Sequence, residues 1–77
     1  MQTIYIVEDD RNIREIEMLA LKNSGYRVQG YETAREFYAA MADRLPSLVM
    51  LDIMLPDEDG ISILQNLRRR ADTRRLP

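Results

Sequence analysis

Three short apolar runs, each followed by a segment whose apolar residues recur every three or four positions, set the rhythm of the chain. Thr3-Ile4-Tyr5-Ile6-Val7 is β-branched and aromatic without polar alternation, the pattern of a strand covered on both faces of a parallel sheet. It ends in Glu8-Asp9-Asp10, and Asp10 stands where it can cap a helix running to Asn23. That helix carries Ile13, Ile16, Leu19 and Ala20 at helical spacing, leaves Glu15, Glu17 and Lys22 polar, and stops at Gly25. Tyr26 to Tyr31 alternates apolar and polar residues, which predicts a strand with one wetter face at a sheet edge. Thr33 and Glu36 have capping-box spacing and open a second helix. Its apolar stripe is Ala34, Phe37, Met41 and Leu45, closed by Pro46, and reads as core packing rather than as a groove for a partner.

The third run, Ser47 to Leu51, reads as a buried strand that delivers Asp52 to its C-terminal end and then breaks into a loop at Pro56 and Gly60. Ile61, Leu64 and Leu67 mark a third helix that starts at Asp59 or Gly60. Asp57, Glu58 and Asp59 at its N-terminal end and Arg68-Arg69-Arg70 in its last turns complement the helix dipole. The order β-α-β-α-β-α with short connections predicts an α/β fold, a doubly wound parallel sheet with right-handed crossovers. Placing the wettest strand at the edge gives strand order 2-1-3. The first and third strands are then neighbours about 4.8 Å apart. Glu8, Asp9 and Asp52 therefore share one crevice at the carboxyl edge of the sheet, where ligands bind in open α/β folds.

Composition narrows the chemistry that crevice could perform. The chain has no cysteine and no histidine, which excludes disulfides, thiolate metal sites and Ser-His or Cys-His nucleophile systems. Carboxylates must carry any chemistry. Clustered carboxylates repel one another unless something offsets the repulsion, and an all-oxygen set suits Mg2+, which binds through one or two carboxylates together with waters and a phosphate. An aspartate at the centre of such a site is a candidate nucleophile for phosphoryl groups, forming an aspartyl-phosphate. The same residues also fit a plainer reading, a helix-capping turn beside a solvated loop aspartate, and spacing alone does not choose between the two.

Seventy-seven residues make one domain at most, and a chain of that size buries only about 60% of its unfolded surface. The net charge of -2 is uneven, because the five arginines after residue 60 face a single acid, Asp72. Segment Arg68 to Arg75 reads as a solvated, dipole-complementing surface rather than a nucleic-acid patch, since no aromatic residues interleave with it. No apolar run approaches the roughly 18 residues that span a bilayer, and the N-terminus lacks the basic start of a signal peptide. A cytoplasmic protein without membrane contact is expected.

Two stretches carry a family resemblance: Ile6-Val7-Glu8-Asp9-Asp10, and Leu51 to Gly60 with its D-x-x-L-P-x-x-D-G spacing. Together they resemble the paired signatures of bacterial response-regulator receiver domains, the phospho-acceptor modules of two-component signalling, over all 77 residues. The resemblance implies a flavodoxin-like sheet, with residues 1–77 as the N-terminal part of a receiver that lacks the last two strands and helices. It implies that Asp52 accepts a phosphoryl group from a sensor histidine kinase. Glu8, Asp9, Asp52 and the backbone carbonyl of Met54 would form the Mg2+ site, Glu8 by orienting metal-bound water, while Asp10 remains a cap. Pro56 would stiffen the loop and Gly60 would let it turn tightly.

Such a module is a phospho-acceptor rather than an enzyme, although a complete domain can phosphorylate itself from small phosphodonors. The Val7-Glu8-Asp9 form resembles regulators with a winged-helix output, so DNA would be reached, for transcriptional control, only through an output domain absent here. The switch hydroxyl, the phosphoryl-contacting lysine and the switch aromatic of the family would lie beyond Pro77, and Lys22, the only lysine, belongs to the first helix. The chain is therefore expected to bind metal while switching poorly, and to self-associate through an exposed third-strand edge. Two other functions remain open. A phosphatase of the haloacid-dehalogenase type would want an acid where Met54 stands, and an assembly piece would carry an inactive acidic cluster.

Overall fold

The structure, a computed structural model, describes residues 2–77. Elements alternate as the patterning predicts: β1 (Thr3–Val7), α1 (Arg11–Asn23), β2 (Arg27–Tyr31), α2 (Ala34–Asp43), β3 (Leu48–Leu51) and α3 (Gly60–Arg69). The sheet is parallel with order β2-β1-β3, and Val7 stands between Tyr31 and Leu51 in register. Central β1 is covered on both faces, which is why its sequence shows no polar alternation. Tyr5 and Val7 join Ala34, Phe37, Met41, Ile63 and Leu67 in the core under α2 and α3. Ile4 and Ile6 join Val28 under α1. Tyr5 sits edge-to-face against Tyr31, with centroids 5.2 Å apart, and its hydroxyl donates to the Arg44 carbonyl at 2.7 Å, so the buried phenol is satisfied.

The predicted caps are present. Asp10 accepts from the Ile13 amide at 3.0 Å and Thr33 from the Glu36 amide at 3.2 Å, and Gly25 ends α1 with a positive φ of 96°. The helical phases are another matter. On α1 the residues facing the sheet are Met18 and Leu21, whereas Ile13, Ile16 and Leu19 are exposed, Ile16 by 69%. The segment carries two apolar stripes, and tertiary packing selects the one over Gly30. A Cβ at Gly30 would come within 2.6 Å of the Met18 sulfur, so the bare backbone there admits that side chain.

On α3, Ile63 and Leu67 are buried and Ile61 and Leu64 are not. Gly60 touches the end of β3, which sets the phase, so the residues three and seven positions later face the sheet. Helix α2 ends at Asp43, which leaves Leu45 outside the helical stripe and exposed, although Pro46 beyond it is buried.

Strand β3 is half-buried along its length rather than fully buried. Its outer edge is not bare, because the Val49 amide donates to the Pro77 carbonyl at 3.2 Å. The expected open edge is thus partly occupied by the chain itself. The arginine-rich segment is folded as well: Arg68 donates to the carbonyls of Arg74 and Leu76 at 2.7 Å each, and the buried Thr73 hydroxyl donates to the Leu67 carbonyl at 2.7 Å. Arg68, though exposed, also clasps the segment that follows α3. No helix among the described residues is long and apolar enough to cross a membrane.

The three acids expected at the start of α3 divide among three tasks. Only Asp59 caps α3, accepting from the Ser62 amide at 2.8 Å. Glu58 accepts from the Tyr38 hydroxyl and from Asn66, both at 3.1 Å. Asp57 reaches the neighbouring helix, where its two oxygens accept the amides of Ala34 and Arg35 at 2.9 Å each. These two amides, Ala34 first, hold the Asp57 carboxyl below the ordinary aspartate value of 3.8. A depressed folded-state pKa means that the contribution is fully present above that ordinary value and is lost as pH falls through the lower one. Thermal melts should therefore show wild type more stable than Asp57→Asn at neutral pH, with the gap closing as pH drops below about 3.8. A gap that persists unchanged at lower pH would contradict the ionised clamp.

Candidate functional site

The site grows from the ends of β1 and β3. The Asp52 amide donates to the Val7 carbonyl at 2.9 Å and the Glu8 amide to the Tyr31 carbonyl at 2.9 Å, so both acids extend the last rungs of the sheet. Arg14 on α1 donates to the Glu8 carbonyl at 2.8 Å and pins the turn between β1 and α1. Glu8 accepts the Asp10 amide at 3.3 Å, while Asp10 itself is committed to the α1 cap. From this frame the carboxylates of Glu8, Asp9 and Asp52 converge, with one oxygen from each lying within 4.8 Å of the others. Glu8 and Asp52 are half-buried and Asp9 is exposed. The crevice predicted from strand order is present in the structure.

Among the described residues no arginine or lysine pairs with any of the three; the ion pairs are Arg11–Glu15 and Arg70–Asp72. The electrostatic cost appears on Glu8, whose carboxyl is held above its ordinary value of 4.5. Partial burial is the main cause, opposed by the Asp10 amide and reinforced by the neighbouring carboxylates of Asp52 and Asp9. Beside the cluster lies a depression of about 220 Å³ lined by Ile6, Met50, Glu8, Glu17 and Asp52. Sequence reasoning left Glu17 on a solvated helix face. In the structure it is half-buried at the mouth, a consequence of the phase that turns Met18 and Leu21 to the sheet. Arg14 was missed for the same reason.

The loop after Asp52 turns back on itself. Met54 exposes its side chain, while its amide lies 3.4 Å from an Asp52 carboxylate oxygen. The Gly60 amide donates to the Ile53 carbonyl at 2.7 Å and closes the loop. Gly60 does not have a positive φ, so left-handed backbone is not the reason for glycine here. A Cβ at that position would overlap the Asp52 carbonyl, and close approach is what excludes larger residues.

The donor set fits a hard divalent cation. It consists of oxygens alone, its charge lacks a counter-ion among the described residues, and it stands at an open edge where waters and a phosphate can complete an octahedron. Asp52, which follows the outer strand β3 beside central β1, is half-accessible at this edge.

Comparison with known proteins agrees with this geometry. Residues 4–76 match the family model described as the response regulator receiver domain. The phosphate regulon transcriptional regulatory protein PhoB of Pseudomonas aeruginosa is 38% identical over 76 residues, which cover 99% of this chain and 33% of that protein. A putative response regulator from Chloroflexus aurantiacus superposes with a TM-score of 0.95 at 30% identity, covering 99% of this chain and 62% of that one. The response regulator protein TrrA of Thermotoga maritima, solved in complex with Mg2+ and BeF, gives a TM-score of 0.87 at 29% identity, with 94% and 63% covered. The chain thus spans about a third of the length of the curated relative and under two thirds of these solved chains. With motif spacing, sheet order and acidic cluster all in agreement, the chain belongs to the response regulator receiver domain family.

Proposed function

We propose that this chain is the phospho-acceptor part of a cytoplasmic two-component response regulator, in which Asp52 takes a phosphoryl group from a sensor histidine kinase in a Mg2+-dependent reaction. The observation that carries this reading is the convergence of Glu8, Asp9 and Asp52 within 4.8 Å at the carboxyl edge of a receiver fold. Glu8, Asp9, Asp52 and the Met54 carbonyl would hold the cation. Its chemistry there is to neutralise the negative charge of an arriving phosphoryl group. A carboxylate oxygen of Asp52 attacks phosphorus in line, the P–N bond of the phosphohistidine breaks, and the imidazole departs with the bonding pair. Asp52 needs no general base, since it is already a carboxylate, which is consistent with a site that contains no histidine.

The protein is an acceptor rather than an enzyme in this reading: it takes the phosphoryl group from a donor and does not turn over. The transcriptional role named for the Pseudomonas aeruginosa relative supports a DNA-binding output, and the Mg2+ complex of the Thermotoga maritima relative supports the metal.

Two measurements test the assignment. Intact-mass spectrometry after treatment with acetyl phosphate and Mg2+ should show a phosphoryl adduct at low occupancy in wild type and none in Asp52→Asn, because Lys22, the only lysine, is on α1 and not on the acceptor loop. An equal adduct in both proteins would contradict Asp52 as acceptor, and full occupancy would contradict incomplete charge stabilisation. In metal-free buffer Asp52→Asn should be more stable than wild type by roughly 0.5–1 kcal/mol, the scale of an exposed charge pair. The gain should shrink when Mg2+ is added. A less stable mutant in metal-free melts would show that Asp52 has a stabilising partner.

A further inference from the structure

We infer that Asp57 is a positioning residue for the metal site: by clamping the loop after Asp52 to the first turn of α2, it holds the Met54 backbone where a cation ligand is needed. The inference rests on the metal reading above and assigns a role to a residue outside the acidic cluster. Two features of the contact show that it is more than a helix cap. Helix α2 already has a cap of its own in Thr33, which takes the Glu36 amide at 3.2 Å. Asp57 adds a second anchor from 23 positions away, one oxygen to Ala34 and the other to Arg35, both at 2.9 Å. A carboxylate bound through both oxygens to successive amides is fixed in direction as well as in distance.

The geometry of the loop turns that anchor into a constraint on Met54. At one end the Asp52 amide is held to Val7, and at the other the Gly60 amide closes onto the Ile53 carbonyl. Between them Leu55 packs against the core under α2 and α3, Pro56 restricts the backbone, and Asp57 is tied to α2. Ile53 and Met54 are the segment left without side-chain packing, exposed by 62% and 79%. Their backbone is therefore set by its anchors rather than by burial. An octahedral cation with ligands at about 2.0–2.1 Å tolerates little displacement of a carbonyl donor. Removal of an outer partner that fixes a ligand typically costs 10–100-fold in metal affinity.

The test measures Mn2+ binding, as free Mn2+ by electron paramagnetic resonance, on the full 77-residue chain and three variants. Asp57→Ala should weaken binding about tenfold. Thr33→Ala, which loosens the same helix terminus without touching the loop, should lower the thermal midpoint by a few degrees and leave Mn2+ affinity unchanged. Asp57→Asn, which keeps one acceptor oxygen and guards against an Asp57→Ala protein that does not fold, should fall between wild type and Asp57→Ala.

Unchanged affinity in Asp57→Ala would overturn the inference. So would equal losses in Asp57→Ala and Thr33→Ala, which would reduce the contact to helix stability, and so would equal losses in Asp57→Asn and Asp57→Ala, which would reduce it to charge. A wild-type chain that binds no Mn2+ would instead overturn the metal reading beneath it, an outcome distinct from any pattern among the variants.

Discussion

The structure depends on the burial of β1, which holds mutually repelling carboxylates in place. Adjacent parallel strands β1 and β3 end at the same level, and the carboxylates that follow them stand within 4.8 Å of one another without a cationic partner among the described residues. Each like-charge contact near a surface costs on the order of 1 kcal/mol. Against that, Ile4, Tyr5, Ile6 and Val7 are all buried on the same strand, and full burial of one such side chain is worth about 1.5–3 kcal/mol. Burial wins, and it fixes register too. A slip of β1 by one residue would carry Tyr5 and Val7 to the α1 face and Ile4 and Ile6 to the α2 face. The acids are held together because the apolar residues before them cannot move.

The loop that follows Asp52 shows how the same protein spends its other carboxylates. Asp57, Glu58 and Asp59 are consecutive, yet each meets a different structure: the start of α2, the Tyr38–Asn66 pair between α2 and α3, and the start of α3. Each of these acids meets a donor on another element or caps its own helix, whereas Glu8 and Asp52 meet only a nearby amide each at 3.3 and 3.4 Å and, with Asp9, face one another. That contrast separates structural carboxylates from those left available for a cation and a phosphoryl group.

Much of this was legible in the sequence where the signal is local. Asp10, Thr33 and Asp59 cap the helices they precede, the alternating pattern from Tyr26 to Tyr31 belongs to an edge strand, and order 2-1-3 follows from it. The family motifs name the site residues, and strand order brings three of them together. What could not be read depends on distant partners. Helix α1 presents two apolar stripes, and only Gly30 on a neighbouring strand decides that Met18 rather than Ile16 faces the sheet. The phase of α3 is decided by the contact of Gly60 with the Asp52 carbonyl. Asp57 reads as part of the α3 dipole because nothing in its own segment points to α2, and the buried Thr73 has no periodic signature at all.

The cluster of Glu8, Asp9 and Asp52, without a cationic partner among the described residues, is proposed to hold a hard divalent cation. The most direct measurement is the rise in thermal midpoint on adding Mg2+, compared between wild type and Asp9→Asn. A ligand that binds only the folded state raises stability with its concentration, so wild type should gain stability with increasing Mg2+ while Asp9→Asn stays flat. Equal behaviour of the two proteins, whether both rise or neither does, would contradict a cation held by this cluster.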